Sequence, residues 1–131
     1  PRLVGTQTAL EWCMTGRIFD APEALDKGLV RSVHPQQDLM GAAMTLAREI
    51  ADNTSAVSVA MTRAMLWRLP ALDHPMLAHR IDSRSIYRLG RSEDSKEGVR
   101  SFLEKRPPEY PDTVSENMPD FYPWWEEPDY K

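Results

Sequence analysis

The sequence predicts a mostly α-helical chain with one short strand and an extended, proline-rich tail. Three observations carry that expectation. From residue 38 onward apolar residues recur at helical spacing: Leu39, Ala43, Leu46, Ala47 and Ile50 share one helix face. Capping residues precede the apolar runs and Gly or Pro follows them, which is how helices start and stop. Residues 107–131 hold six of the eleven prolines and seven acids against one Lys, about −6 net, a composition that resists helix formation.

The elements follow in order. Thr8 and Glu11 have the form of a capping box ahead of Leu10, Trp12, Cys13 and Met14, and Gly16 supplies a stop, giving a short helix over 9–15. Asp20, Pro22 and Glu23 open a second helix that Gly28 closes. The stretch LVRSVHP, residues 29–35, is the one convincing strand, with branched Val30 and Val33 and a terminating Pro35. The periodic helix from 38 breaks at Asn53-Thr54-Ser55. The next carries Val57, Ala60, Met61, Ala64, Met65 and Trp67 until Pro70 stops it. Asp73 is the expected cap of a long helix ending at Gly90. Ser92 caps the last helix, which stops at Pro107-Pro108. In the tail, Phe121, Tyr122, Trp124 and Trp125 stand close together. Exposed together they would form an apolar patch, so an extended arm with an aromatic anchor is expected.

Composition bounds the function. At 131 residues the chain is the size of one domain, and its net charge of −4 argues against a general nucleic-acid binder. A single cysteine, Cys13, rules out an internal disulfide and fits a reducing, cytoplasmic setting. No apolar run reaches the roughly 18 residues of a membrane span. The opening PRLVG begins with Pro and leads almost at once into a helix, so the chain is expected to be part of a longer polypeptide.

Few residues form a chemical constellation. Arg80, Arg84, Arg88 and Arg91 fall within about 80° on one helix. Such a stripe suits phosphate or carboxylate, a solvated face, or an acidic partner such as the tail. Lys105 and Arg106 close the last helix, where cations complement the helix dipole. His34, His74 and His79 lack metal-ligand spacing, so no metal is expected. Cys13 is expected to pack in an apolar helix. No nucleophile elbow, P-loop or dinucleotide fingerprint is present. These residues alone supply no self-sufficient active site.

A pattern of four short motifs resembles the C-terminal half of the crotonase superfamily, the enoyl-CoA hydratase/isomerase family. The opening Pro1-Arg2-Leu3-Val4-Gly5 leads to a helix ending in Thr15-Gly16. Ala21, Glu23, Ala24 and Gly28-Leu29-Val30 match the next segment. Lys96-Glu97-Gly98 and Phe102-Leu103-Glu104-Lys105-Arg106 match the last. The resemblance covers residues 1 to about 110 and leaves the tail without a family role.

The resemblance implies the helical C-terminal portion of an α/β crotonase-type fold. Residues 1–35 would end the spiral core, 36–110 would form a trimerisation region, and 111–131 would be the acidic, aromatic tail. It implies an acyl-CoA enzyme, most simply one that hydrates a 2-enoyl-CoA, with isomerisation, hydrolysis and decarboxylation left open. The coenzyme A thioester is the substrate, and no other cofactor is expected. Lys105 is placed to meet CoA phosphates of an adjacent subunit, Ile86 to line the acyl pocket, and Phe102 to anchor the docked helix. The family's oxyanion donors and glutamates lie upstream of Pro1, so no catalytic residue is assigned and this portion alone is expected to be inactive. The implied assembly is a homotrimer or a dimer of trimers, without nucleic-acid or membrane partners. By itself the chain is expected to self-associate through faces around Leu10, Trp12 and Val30. Two other readings are a stand-alone helical interaction module and an oligomerisation domain serving unrelated chemistry.

Overall fold

The computed structural model describes residues 1–130, and its regular structure is six α-helices and one 3₁₀ turn: α1 (Gly5–Thr15), α2 (Ala21–Asp26), α3 (Gln36–Asn53), α4 (Ala56–Arg68), the 3₁₀ turn Leu69–Ala71, α5 (Pro75–Leu89) and α6 (Glu93–Glu104). The chain divides into two compact units, Pro1–Leu46 and Ala47–Lys131.

In the first unit α1 starts at Gly5, whose N–H donates to Pro1 O at 2.8 Å. Val4 is the N-cap and makes no side-chain capping bond, so Thr8 lies inside the helix and the expected box is not formed. Gly16 ends α1 with φ 61°, a conformation that glycine adopts without a Cβ clash. Asp20 caps α2 as expected, its Oδ1 accepting from Glu23 N at 2.9 Å.

The expected strand at 29–35 does not form: the described residues contain none. A strand exists only as half of a hydrogen-bonded pair. Here Leu29 N and Val30 N both turn back to Ala24 O, at 2.8 and 3.3 Å, and close the end of α2 instead. A polar latch joins α1 to α2. Trp12 stacks on Phe19 with ring centroids 3.9 Å apart and donates from Nε1 to Glu23 at 3.0 Å. Arg17 binds both Glu23 and Glu11. The guanidinium and the indole N–H lower the Glu23 pKa to about 2.

In the second unit the apolar core is small. Val57, Met61 and Ala64 lie on one face of α4 at i, i+4 and i+7, and all three are buried. Ser55 caps that helix through Ser58 N. The N-cap of α5 is His74, whose Nδ1 accepts from Met76 N at 3.0 Å, rather than the expected Asp73. Pro75 explains the displacement. It takes the first helical position and confines the preceding residue to extended backbone, which is the conformation of a cap.

The last helix is packed in the reverse of the usual sense. Its buried residues are Asp94, Glu97 and Ser101, while Val99, Phe102 and Leu103 are 61, 70 and 70% exposed. The chain that returns along this face satisfies part of it, while Asp94 Oδ2 is buried without a partner among the described residues. Asp112 N donates to Asp94 Oδ1 at 2.8 Å, and Glu109 N donates to Glu97 Oε1 at 2.9 Å. Ser92 is the expected cap, accepting from Ser95 N at 3.1 Å. Ser92→Ala is expected to cost about 1 kcal/mol, read as a lower urea midpoint with an unchanged slope.

After α6 the described residues carry neither helix nor strand. A turn at 113–117 is closed by Asn117, whose N–H donates to Thr113 O at 2.9 Å and whose Oδ1 accepts from Thr113 N at 2.8 Å. Pro119 beyond it is fully buried.

Candidate ligand-binding site

The end of α6 is built by a Schellman closure. Lys105 takes the left-handed conformation, φ 56° and ψ 38°, and Arg106 N donates to Ser101 O at 3.1 Å. The helix therefore stops at Lys105, ahead of Pro107-Pro108. The closure throws two neighbouring cations to different fates. Arg106 turns onto the buried Glu97 with two bonds, Nη1 to Oε1 at 2.5 Å and Nη2 to Oε2 at 2.9 Å, and also reaches Glu104 at 2.7 Å. The Arg106 bonds and the Glu109 N–H lower the Glu97 pKa to about 2, and the two carboxylates push Arg106 above the usual guanidinium range.

Lys105 meets no acid among the described residues. Its Nζ lies 4.3 Å from the Phe102 ring centroid, and both side chains are exposed. Glu97 and Glu104 are spent on Arg106, which leaves Lys105 as the uncompensated charge of this helix end. An exposed ammonium held on an aromatic ring is able to take a phosphate or another anion.

Ile86, 66% exposed, lies elsewhere. It borders an open cleft of about 490 Å³ at the N-terminal ends of α4 and α6, with Asn53, Ser55, Ser92, Ser95 and Tyr110. Neither Phe102 nor Lys105 lines that cleft. The chain thus brings Lys105 and Phe102 together and keeps Ile86 apart from them.

The arginine stripe of α5 is divided. Arg84 sits over the Phe121 ring at 4.2 Å, and Arg91, in the turn beyond α5, covers Tyr87 of that helix at 4.2 Å. The tail acid that pairs with an arginine is Glu127, and its partner is Arg68 of α4, outside the stripe, at 2.5 Å. Cys13 is exposed rather than packed. Among the described residues no cluster of three His, Cys, Asp or Glu side chains could hold a metal ion, and no helix is long and apolar enough to cross a membrane.

Sequence reasoning missed the clamp of Glu97 on Arg106. Nine residues and a left-handed turn separate the two, so no helical spacing signals the pair. Both strongly depressed carboxylates, Glu23 and Glu97, are locked in ion pairs, which suits them poorly to general-base work near neutral pH. The described residues make a helical element that can hold an anion and offer no evident acid–base pair.

The family model for enoyl-CoA hydratase/isomerase matches residues 1–113. Enoyl-CoA hydratase ACTT3 of Alternaria alternata is 40% identical over 117 residues, 88% of this chain and 39% of the relative. Mevalonyl-coenzyme A hydratase SIDH of Beauveria bassiana is 36% identical over 114 residues, 86% of this chain and 40% of the relative. The crystal structure of an enoyl-CoA hydratase from Bacillus anthracis superposes with a TM-score of 0.79 at 31% identity, covering 84% of this chain and 42% of that one. The chain belongs to the enoyl-CoA hydratase/isomerase family and is a mostly helical portion of its crotonase-type fold. It spans about two fifths of the length of these relatives.

Proposed function

We propose that the chain is the helical C-terminal part of an acyl-CoA enzyme, most simply an enoyl-CoA hydratase. In this reading it serves subunit assembly and part of the coenzyme A and acyl site, while the oxyanion donors and proton-transferring carboxylates come from the remainder of the fold. The observation that supports this best is Lys105, an ammonium without an acidic partner among the described residues, fixed at a helix end over Phe102. A compact point charge of this kind suits a phosphate. Ile86 would border the acyl chain, and Lys105 would meet the phosphates bound at an adjacent subunit, so the two need not line one cleft within a single chain. Phe102, exposed within the chain, would dock on an adjacent subunit of a trimer or a dimer of trimers. The names of the relatives support a hydratase over isomerisation of related thioesters.

The test is Lys105→Ala in the complete enzyme that carries this segment, assayed by the loss of the conjugated enoyl absorbance on hydration. We expect KM for the enoyl-CoA to rise about tenfold with kcat within a factor of two, the pattern of lost ground-state binding worth ~1.4 kcal/mol. Lys105→Arg should restore most of the loss. An unchanged KM would remove Lys105 from the substrate site.

A further inference from the structure

We propose that Arg106 is a positioning residue for the anion site at Lys105: its guanidinium, anchored on Glu97, holds the Glu104 carboxylate away from the Lys105 ammonium and so keeps that ammonium free. The inference rests on the reading of Lys105 as a phosphate contact and gives a part to residues that the reading leaves without one.

A lysine that follows an acid at a helix end is within reach of it, and the chain contains such a pair. Lys27 caps α2 directly after Asp26, the last residue of that helix, and its Nζ lies 2.9 Å from Asp26 Oδ2. Lys105 caps α6 directly after Glu104, in the same order. Yet Glu104 accepts from Arg106 Nε at 2.7 Å, and Lys105 rests on the Phe102 ring instead. The two caps also differ in backbone, φ −84° at Lys27 and 56° at Lys105. The bond that engages Glu104, however, is the one from Arg106.

Arginine is suited to this double hold. Arg106 places Nη1 and Nη2 on the two Glu97 oxygens at 2.5 and 2.9 Å, and Nη1 also donates to Pro107 O at 3.0 Å. The guanidinium is planar, so gripping one carboxylate along an edge fixes where Nε points. Glu97 is a firm anchor. Its side chain is 9% exposed, and its Oε1 also accepts from Glu109 N. Glu104, with its side chain 52% exposed, has room to swing once the Nε bond is gone. A single ammonium at position 106 could not grip Glu97 in two places and still aim a third donor at Glu104.

The test uses the complete enzyme that carries this segment, with KM for the enoyl-CoA and a crystal structure of each variant. Substitution at Arg106 keeps the backbone bond from its N–H to Ser101 O that closes the helix. We expect Arg106→Ala to bring the Glu104 carboxylate within about 4 Å of Lys105 Nζ. KM should rise about fivefold with kcat within about a factor of two. Adding Glu104→Gln should return KM to about the parent value, although Glu104→Gln by itself changes it less than about twofold; a mere loss of packing would not be repaired in this way. Adding Lys105→Ala to Arg106→Ala should leave KM no higher than Lys105→Ala alone. Should Arg106→Ala fail to fold because Glu97 is left as a buried, unpaired charge, Arg106→Gln with Glu97→Gln removes both charges and carries the same expectations. The proposal is overturned if Glu104 stays off Lys105, or moves to Arg100, which lies 3.9 Å from Glu97 on the same helix. A KM rise that Glu104→Gln does not repair also overturns it. An unchanged KM in Arg106→Ala beside a raised one in Lys105→Ala overturns it and leaves Lys105 in the substrate site. An unchanged KM in Lys105→Ala removes the substrate reading itself, and the position of Glu104 in Arg106→Ala then decides this proposal on its own.

Discussion

Met61→Ala lowers the stability of the chain by about 2–5 kcal/mol, the range for truncating a buried methionine. The size of the effect follows from how little else is buried. The buried hydrophobic residues are Ala24, Val57, Met61 and Ala64, and Met61 is the largest of them, with 0% exposure. Val57 and Ala64, the other two in its unit, offer few atoms with which to close a cavity. Urea unfolding followed by circular dichroism should show a lower midpoint, while Met61→Leu, which conserves volume, should lose less than about 1.5 kcal/mol. A Met61→Ala protein as stable as the parent would mean that α4 does not hold the core of the second unit.

Glu97→Gln is expected to lower Tm on the order of 10 °C, because it leaves a guanidinium facing a site built for a carboxylate. The amide keeps an acceptor for Glu109 N but loses the charge that Arg106 grips in two places. The same substitution should alter the acid limb of stability. The Glu97 pKa is about 2 in the folded chain, against roughly 4.3 for an unperturbed glutamate. The folded state therefore favours the ionised form. This contribution is fully present above the unfolded value and is lost as pH falls through the folded one. Between pH 7 and 5 the parent should be level with respect to this group, then decline from about pH 4 toward pH 2. Glu23 adds a decline of the same sign in the first unit, so Glu97→Gln should make the acid limb shallower without removing it. An acid limb identical in the two proteins would show that the Arg106 pair contributes nothing to pH-dependent stability.

What could be read from the sequence was what depends on neighbours along the chain. Asp20, Ser55 and Ser92 each cap the helix that follows, because an N-cap reaches only three residues ahead. Gly16 closes α1 for the same local reason. Errors appeared where two local signals competed. Thr8 has the right spacing from Glu11, yet the Pro1–Gly5 turn starts α1 earlier. Asp73 is a good cap, yet Pro75 reserves that place for His74. The strand at 29–35 was misread because branched residues suggest a strand without supplying the partner that makes one. The candidate site divided along the same line. Lys105 at the helix end was visible in the motif. The clamp of Glu97 on Arg106 and the pairing of Arg68 with Glu127, 59 residues apart, arise only when the chain returns on itself. The apolar residues of α6 do not face the interior of the described chain. Val99 and Phe102 are exposed, and the buried face carries Asp94, Glu97 and Ser101, an inversion that helical spacing does not signal.

The left-handed backbone at Lys105 has one more consequence. A residue with a Cβ pays about 1–2 kcal/mol to stand there, and a glycine would close the helix without that strain. Lys105 is in this sense a locally frustrated position, where the side chain and the backbone make opposed demands. The turn also sets the point from which the Lys105 side chain leaves the backbone, and its Nζ rests 4.3 Å from the Phe102 ring centroid. A cation that already rests on a ring gives up part of its side-chain freedom before any anion arrives, which lowers the ordering entropy that binding must overcome.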